Sequence, residues 1–187
     1  MPVLAIRIII ECPSIRVRMQ EPKVIADRCS RIFTLVFLAC LAILGFGLYL
    51  QHVEHLYPCP LCIVQRLLFI AVALISLIAA LHRAGPLTAT IYAMFGAATA
   101  VGGAVVAGYH IYLQADEARA NACTGSVVER FLDQTDIGSW IPPLLQYEGP
   151  CTLKPWSFLG LSIPEWSLIC FIALAVSLAF TPSLARR

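Results

Sequence analysis

Charge is scarce in this chain: 13% of its 187 residues are Asp, Glu, Lys or Arg, against 59% that are hydrophobic. A soluble domain normally carries about twice that charge, so the balance points to a membrane protein. The net charge is only +2, and no basic stretch is interleaved with aromatics, which excludes a nucleic-acid surface. Strand-like alternation and internal repeats are also missing, which argues against barrels and solenoids. A cleaved signal is not expected either. Arg7 and Glu11 interrupt the first apolar run before it is long enough to serve as the core of one.

What is present is a set of long apolar runs. Crossing about 30 Å of hydrocarbon takes roughly 20 apolar residues in a helix. Segments 32–50, 63–81, 87–113 and 163–180 meet that requirement. The third is rich in small residues (Gly96, Gly102, Gly103, Ala104, Ala107 and Gly108), which allow helices to approach closely. The expected fold is all-α, a polytopic membrane four-helix bundle over residues 32–181. It is flanked by an N-terminal tail, 1–31, and a C-terminal tail, 182–187; Met19 offers an alternative start within the first.

Lys and Arg orient the bundle, because cytoplasmic flanks hold them in excess. Arg7, Arg16, Arg18, Lys23, Arg28 and Arg31 precede the first span, Arg83 lies between the second and third, and Arg186 and Arg187 end the chain. Both termini are therefore expected inside. Loop 51–62 has no Lys or Arg, and loop 114–162 has Arg119, Arg130 and Lys154 among more numerous acids. These two loops face outward.

Topology sorts the eight cysteines. Cys12 and Cys29 fall in the cytoplasmic tail, and Cys40 and Cys170 lie within apolar spans, where a cysteine behaves as a small hydrophobe. Cys59, Cys62, Cys123 and Cys151 all fall in the outward loops, an even number that suggests two disulfides. Cys59-Pro60-Leu61-Cys62 has the spacing of a redox dithiol and sits where the second span begins, so the helix dipole favours a thiolate at Cys62. A static clip between two helices is the plain competitor. Zinc is another, with His52 and His55 added to the four cysteines, but Cys123 and Cys151 are too far apart in sequence to form a zinc knuckle, and no metal is expected. Between them lie two apolar patches, Val127, Val128, Phe131 and Leu132, then Trp140 to Leu145, which suit a loop lying on the membrane surface. If Cys123 pairs with Cys151, the long ring can present a thiol to a partner or to the first pair.

Arg66 lies four residues after Cys62, on the same helical face one turn deeper. A guanidinium at the outer edge of an apolar span usually faces a bundle interior or a ligand, and its donors suit a quinone carbonyl. Snorkelling to the interface is the bland reading. His110, at the outer end of the third span, is a candidate second donor or proton relay, with a solvated anchor as its competitor. Glu165 admits both readings in the same way.

Tyr57-Pro58-Cys59-Pro60-Leu61-Cys62 followed by Gln65-Arg66, four spans, a second cysteine pair and Phe158-Leu159-Gly160-Leu161 before the last span together resemble the disulfide bond formation protein B family of bacterial inner membranes. The resemblance runs from about residue 32 to the C-terminus. It implies a multi-pass inner-membrane enzyme that reoxidises a thioredoxin-like periplasmic dithiol oxidase, disulfide bond formation protein A, and passes two electrons to ubiquinone or menaquinone, reaching oxygen only through the respiratory chain. Carried over by position, the partner attacks Cys123, Cys151 exchanges with Cys59, Cys62 engages the quinone beside Arg66, and His110 falls near the quinone. The disulfides implied are Cys59–Cys62 and Cys123–Cys151. Gln65 stands where some members have Glu, which leaves an acidic relay there without its acid. A thiol oxidase of the vitamin K epoxide reductase type fits less well, since its redox CxxC follows the loop pair in sequence. A metal-handling membrane protein and a scaffold with inert disulfides are the readings from other classes.

Overall fold

The computed structural model describes residues 13–82, 85–115 and 156–185, with isolated positions 130 and 134. Helix α1 is Pro13–His52, α2 is Pro60–His82, α3 is Pro86–Gln114 and α4 is Ile163–Ala185. Each contains a stretch long and apolar enough to cross a membrane: Arg28–His52, Pro60–His82, Leu87–Gln114 and Ile163–Thr181. The protein is an all-α polytopic membrane bundle, and large apolar side chains such as Leu35, Leu74, Met94, Val105 and Phe180 point outward from it. In water such a surface would drive association; in lipid it is solvated.

Local chemistry sets the helix starts. Pro60 and Pro86 occupy first positions, where the missing N–H costs nothing. Helix α4 begins with the carboxylate half of a capping box: Glu165 Oε2 accepts from the Ser162 backbone N–H at 2.6 Å and from Ser162 Oγ at 2.7 Å. Glu165 thus closes a helix end. Just before it, Ser157–Phe158 (β1) and Leu161–Ser162 (β2) form a two-stranded antiparallel hairpin, an addition to the all-helical expectation. Its two turn residues both have positive φ, 55° at Leu159 and 81° at Gly160, as a type I′ turn requires. The Phe-Leu-Gly-Leu motif is this hairpin.

Two features differ from the hydropathy reading. Helix α1 runs back to Pro13 without a break before the first span, because Arg, Lys, Glu and Gln form helices well although they are not apolar. Cys29 accordingly packs into the bundle beside Phe33 and Val36 at 2% exposure, so it is a core residue of α1 and its burial says nothing about which side of the membrane it faces. Cys40 is buried in the same core, and Cys170 packs against it. Cys12, Cys123 and Cys151, and most of loop 114–162, lie outside the described residues.

Helix α4 packs most extensively on α3, α1 on α2 and α2 on α3. The α3 seam consists of small residues: Ala89, Ala93, Gly96, Ala100, Gly103 and Ala107 are all buried, at alternating spacings of four and three. That is the period of a knobs-into-holes stripe. A Cβ at Gly96 would lie 2.9 Å from Leu178 Cδ1, and one at Gly103 would overlap the Phe171 ring. Phe171 in turn stacks on Phe69 of α2, with ring centroids 3.9 Å apart. Gly102 and Gly108 meet nothing within 4 Å, so only some of the small residues act in packing.

Gly103→Ala should therefore destabilise the bundle by about 1–3 kcal/mol, the usual cost of overpacking. Gly102→Ala, free of that clash and improved in helix propensity, should leave stability unchanged or raise it. Thermal unfolding of the two variants in one detergent checks the contrast.

Candidate active site

Helix α2 starts on a sulfur. The Cys62 N–H donates to Cys59 Sγ at 3.4 Å and the Ile63 N–H to the Cys59 carbonyl at 3.2 Å, so Cys59 takes the place an N-cap Ser or Asp usually holds. The two sulfurs stand 3.1 Å apart, Cys59 donating to Cys62. Both are free thiols, within reach of the bond of about 2.05 Å that would join them.

His110 is the next position of the small-residue stripe on α3 after Ala107, and it is buried to 2% exposure. Its Nε2 lies 3.6 Å from Cys59 Sγ, and its Nδ1 lies 3.2 Å from Gln65 Nε2. An amide NH₂ can only donate, so Nδ1 accepts and the neutral ring carries its proton on Nε2, facing the sulfur. Hydrogen bonds then run in one direction from Gln65 through His110 and Cys59 to Cys62. The solvated-anchor reading of His110 does not fit this burial.

Arg66 lies one turn below Cys62, as their spacing requires. Its Nη1 donates to Gln51 Oε1 at 2.6 Å and its Nη2 to the Gly47 carbonyl at 3.2 Å, both on the last turns of α1. These two contacts fix the guanidinium against the last two turns of α1. Cys59, Cys62, Gln65, Arg66 and His110 all line one cavity of about 1000 Å³. Its other walls are largely apolar, among them Phe46 and Leu50 of α1, Phe69 of α2, Trp156 and Phe158 at the hairpin, and Trp166 of α4. Of the two histidines weighed as zinc ligands, His55 lines this cavity, but neither joins the cluster of Cys59, Cys62 and His110.

Comparison with known proteins decides the family. The family model for disulfide bond formation protein DsbB matches residues 29–181. The chain belongs to this family. Relatives named disulfide bond formation protein B include that of Hahella chejuensis, 39% identical over 149 residues, covering 80% of this chain and 90% of the relative. That of Herminiimonas arsenicoxydans is 42% identical over 146 residues (78% and 90%), and that of Methylococcus capsulatus 40% over 142 residues (76% and 87%). Membership in the DsbB family supports an oxidoreductase role in disulfide bond formation, and a reduced Cys-x-x-Cys pair opening into a cavity is suited to that role.

Sequence reasoning did not find Gln51 and left Gln65 without a role. Gln65 is 3% exposed and Gln51 is 7% exposed, and two buried amides at the ends of apolar helices are themselves a signal, since such groups are buried only where they have partners.

The Cys59 thiol is held above the ordinary cysteine range, first by donating its proton to Cys62 and then by burial. Raising a thiol's pKa favours its protonated form, and the thiolate is the reactive species. Alkylation at Cys59 of the reduced protein, followed by mass spectrometry, should therefore reach half its maximal rate at a higher pH than for a free cysteine. A midpoint at or below the free-cysteine value would contradict the hydrogen-bond direction.

Proposed function

We propose that this protein is a membrane dithiol:quinone oxidoreductase that reoxidises a thioredoxin-like periplasmic dithiol oxidase. The observation that carries the proposal is the shared cavity: the Cys59–Cys62 pair, Arg66 and His110 open into one apolar space between membrane helices. A quinone is a flat, apolar ring with two carbonyl acceptors. Aromatic and aliphatic walls, with one guanidinium and one imidazole as donors, match that chemistry. Bound there, ubiquinone or menaquinone would supply a two-electron acceptor.

The chain's own residues would then divide the work as follows. A partner thiolate attacks Cys123 of a Cys123–Cys151 disulfide, and Cys151 leaves with the electron pair. Cys151 attacks Cys59 of an oxidised Cys59–Cys62 pair and releases Cys62 as the thiolate, within the field of Arg66. The partner's second thiolate closes the partner's own disulfide and releases Cys123, and Cys123 attacks Cys151 to re-form Cys123–Cys151 and release Cys59. Oxidation of the Cys59–Cys62 dithiol then gives up two electrons and two protons per cycle. Arg66, held by Gln51 and Gly47, stabilises negative charge that develops in the cavity, and His110 serves as a proton donor or acceptor beside Cys59. In this reading the protein lies in the bacterial inner membrane with both termini cytoplasmic.

A partner oxidase lacking its resolving cysteine should be trapped as a mixed disulfide on Cys123, and Cys123→Ser should abolish the complex on a non-reducing gel. Cys62→Ser should block quinone reduction and let reduced partner accumulate. Normal turnover in Cys123→Ser would overturn the relay.

Arg66→Ala should raise the quinone KM by about 10- to 150-fold, equivalent to about 1.5–3 kcal/mol for a charge-assisted contact, with exchange between the partner and Cys123 retained. An unchanged quinone dependence would remove Arg66 from the site.

A further inference from the structure

Reduction of the Cys59–Cys62 pair creates a donor set that the oxidised pair lacks. Cys59 Sγ, Cys62 Sγ and a ring nitrogen of His110 lie within 4.8 Å of one another. Around a tetrahedral zinc-class ion, bonds of about 2.3 Å to sulfur and about 2.0–2.1 Å to nitrogen place neighbouring sulfurs about 3.8 Å apart, and sulfur and nitrogen about 3.6 Å apart. The Cys59 Sγ to His110 Nε2 separation is already 3.6 Å, and the 3.1 Å between the sulfurs needs only a small opening. Cys59 precedes α2, so that opening does not require the helix to unwind.

We propose that the reduced site captures one thiophilic divalent cation through Cys59, Cys62 and His110. Three protein ligands leave a fourth position, and all three residues line the cavity, so that position opens into it. Open three-ligand sites of this kind are the form catalytic zinc takes. The exchange is balanced: each sulfur that carries a proton gives it up, the dithiolate cancels the ion's two charges, and no electron moves. A neutral complex also avoids placing uncompensated cationic charge in the cavity that holds Arg66. Once Nε2 binds the ion, the neutral ring carries its proton on Nδ1, and rotating the Gln65 amide presents its oxygen to accept it, the outer-shell contact that orients most metal-bound histidines. The oxidised pair has no thiolates to offer, so capture is specific to the reduced state. Its consequence rests on the function proposed above: with both sulfurs held by the ion, the disulfide cannot re-form and turnover stops.

The test uses the full chain in lipid nanodiscs with Cys123→Ser and Cys151→Ser, reduced anaerobically and freed of reductant, with cobalt(II) alone as the probe. The expected result is one equivalent bound, a sulfur-to-cobalt charge-transfer band, intense four-coordinate visible bands and release of the Cys59 proton, none of it in the oxidised protein. Cys62→Ser and His110→Ala should each weaken binding more than about tenfold, since loss of an outer-shell partner alone can cost that much. The same spectrum in the oxidised protein, no charge-transfer band, or unchanged affinity in His110→Ala would overturn the site. In the unsubstituted protein, zinc should arrest quinone-dependent dithiol oxidation over the concentrations at which it displaces cobalt, and zinc-insensitive turnover would overturn the inhibition. If no quinone-dependent turnover exists while the cobalt signature forms, the site stands and only the functional reading fails.

Discussion

The close approach of α3 to α4 is the constraint on which the site depends. A Cβ at Gly103 would overlap the Phe171 ring and one at Gly96 would press on the end of Leu178, so the glycine at 103 above all lets α3 seat this closely. Membrane helices gain little from hydrophobic exclusion among themselves, because lipid is as apolar as their side chains, and van der Waals fit has to hold them together. Phe171 carries the contact across to Phe69 of α2, so three helices share one packed layer. The same α3 stripe, continued one step, ends at His110. Packing geometry thus delivers an imidazole to the sulfur at the start of α2.

Above that layer the bundle tolerates polar groups that would otherwise be costly. Arg66 is charged within an apolar span, and its cost is offset by hydrogen bonds to Gln51 and to a backbone carbonyl on α1. Gln51 and Gly47 are one turn apart on α1, so a single helix face supplies both acceptors. Fixing the guanidinium in this way also keeps it at the cavity wall, where charge that develops nearby meets a donor already in place.

The cysteine pair owes its character to position in the helix. Cys59 accepts the Cys62 amide as a cap while donating its own proton to Cys62, which makes the two sulfurs unequal although their sequence surroundings are alike. Gln65 holds the His110 ring so that its Nε2 faces Cys59. The donor geometry that suits proton transfer is also close to a metal-binding geometry, so the reduced site is open to capture for the same structural reason that it is suited to exchange.

Much of this was legible in the amino-acid sequence because it depends on short-range periodicity. Apolar runs located the spans, a two-residue gap paired Cys59 with Cys62, and a four-residue step put Arg66 on the face of Cys62, since helix geometry alone relates such neighbours. Even the burial of His110 is foreshadowed by the spacing of the alanines and glycines before it. Tertiary structure decided the rest: Gln51 meets Arg66 across 15 positions, Gln65 meets His110 across 45, and His110 meets Cys59 across 51. Those meetings depend on how far each helix is rotated and how closely it approaches its neighbours. That is set by the fit of Gly96 and Gly103 against α4 and of Phe171 against Phe69, and no local pattern encodes it.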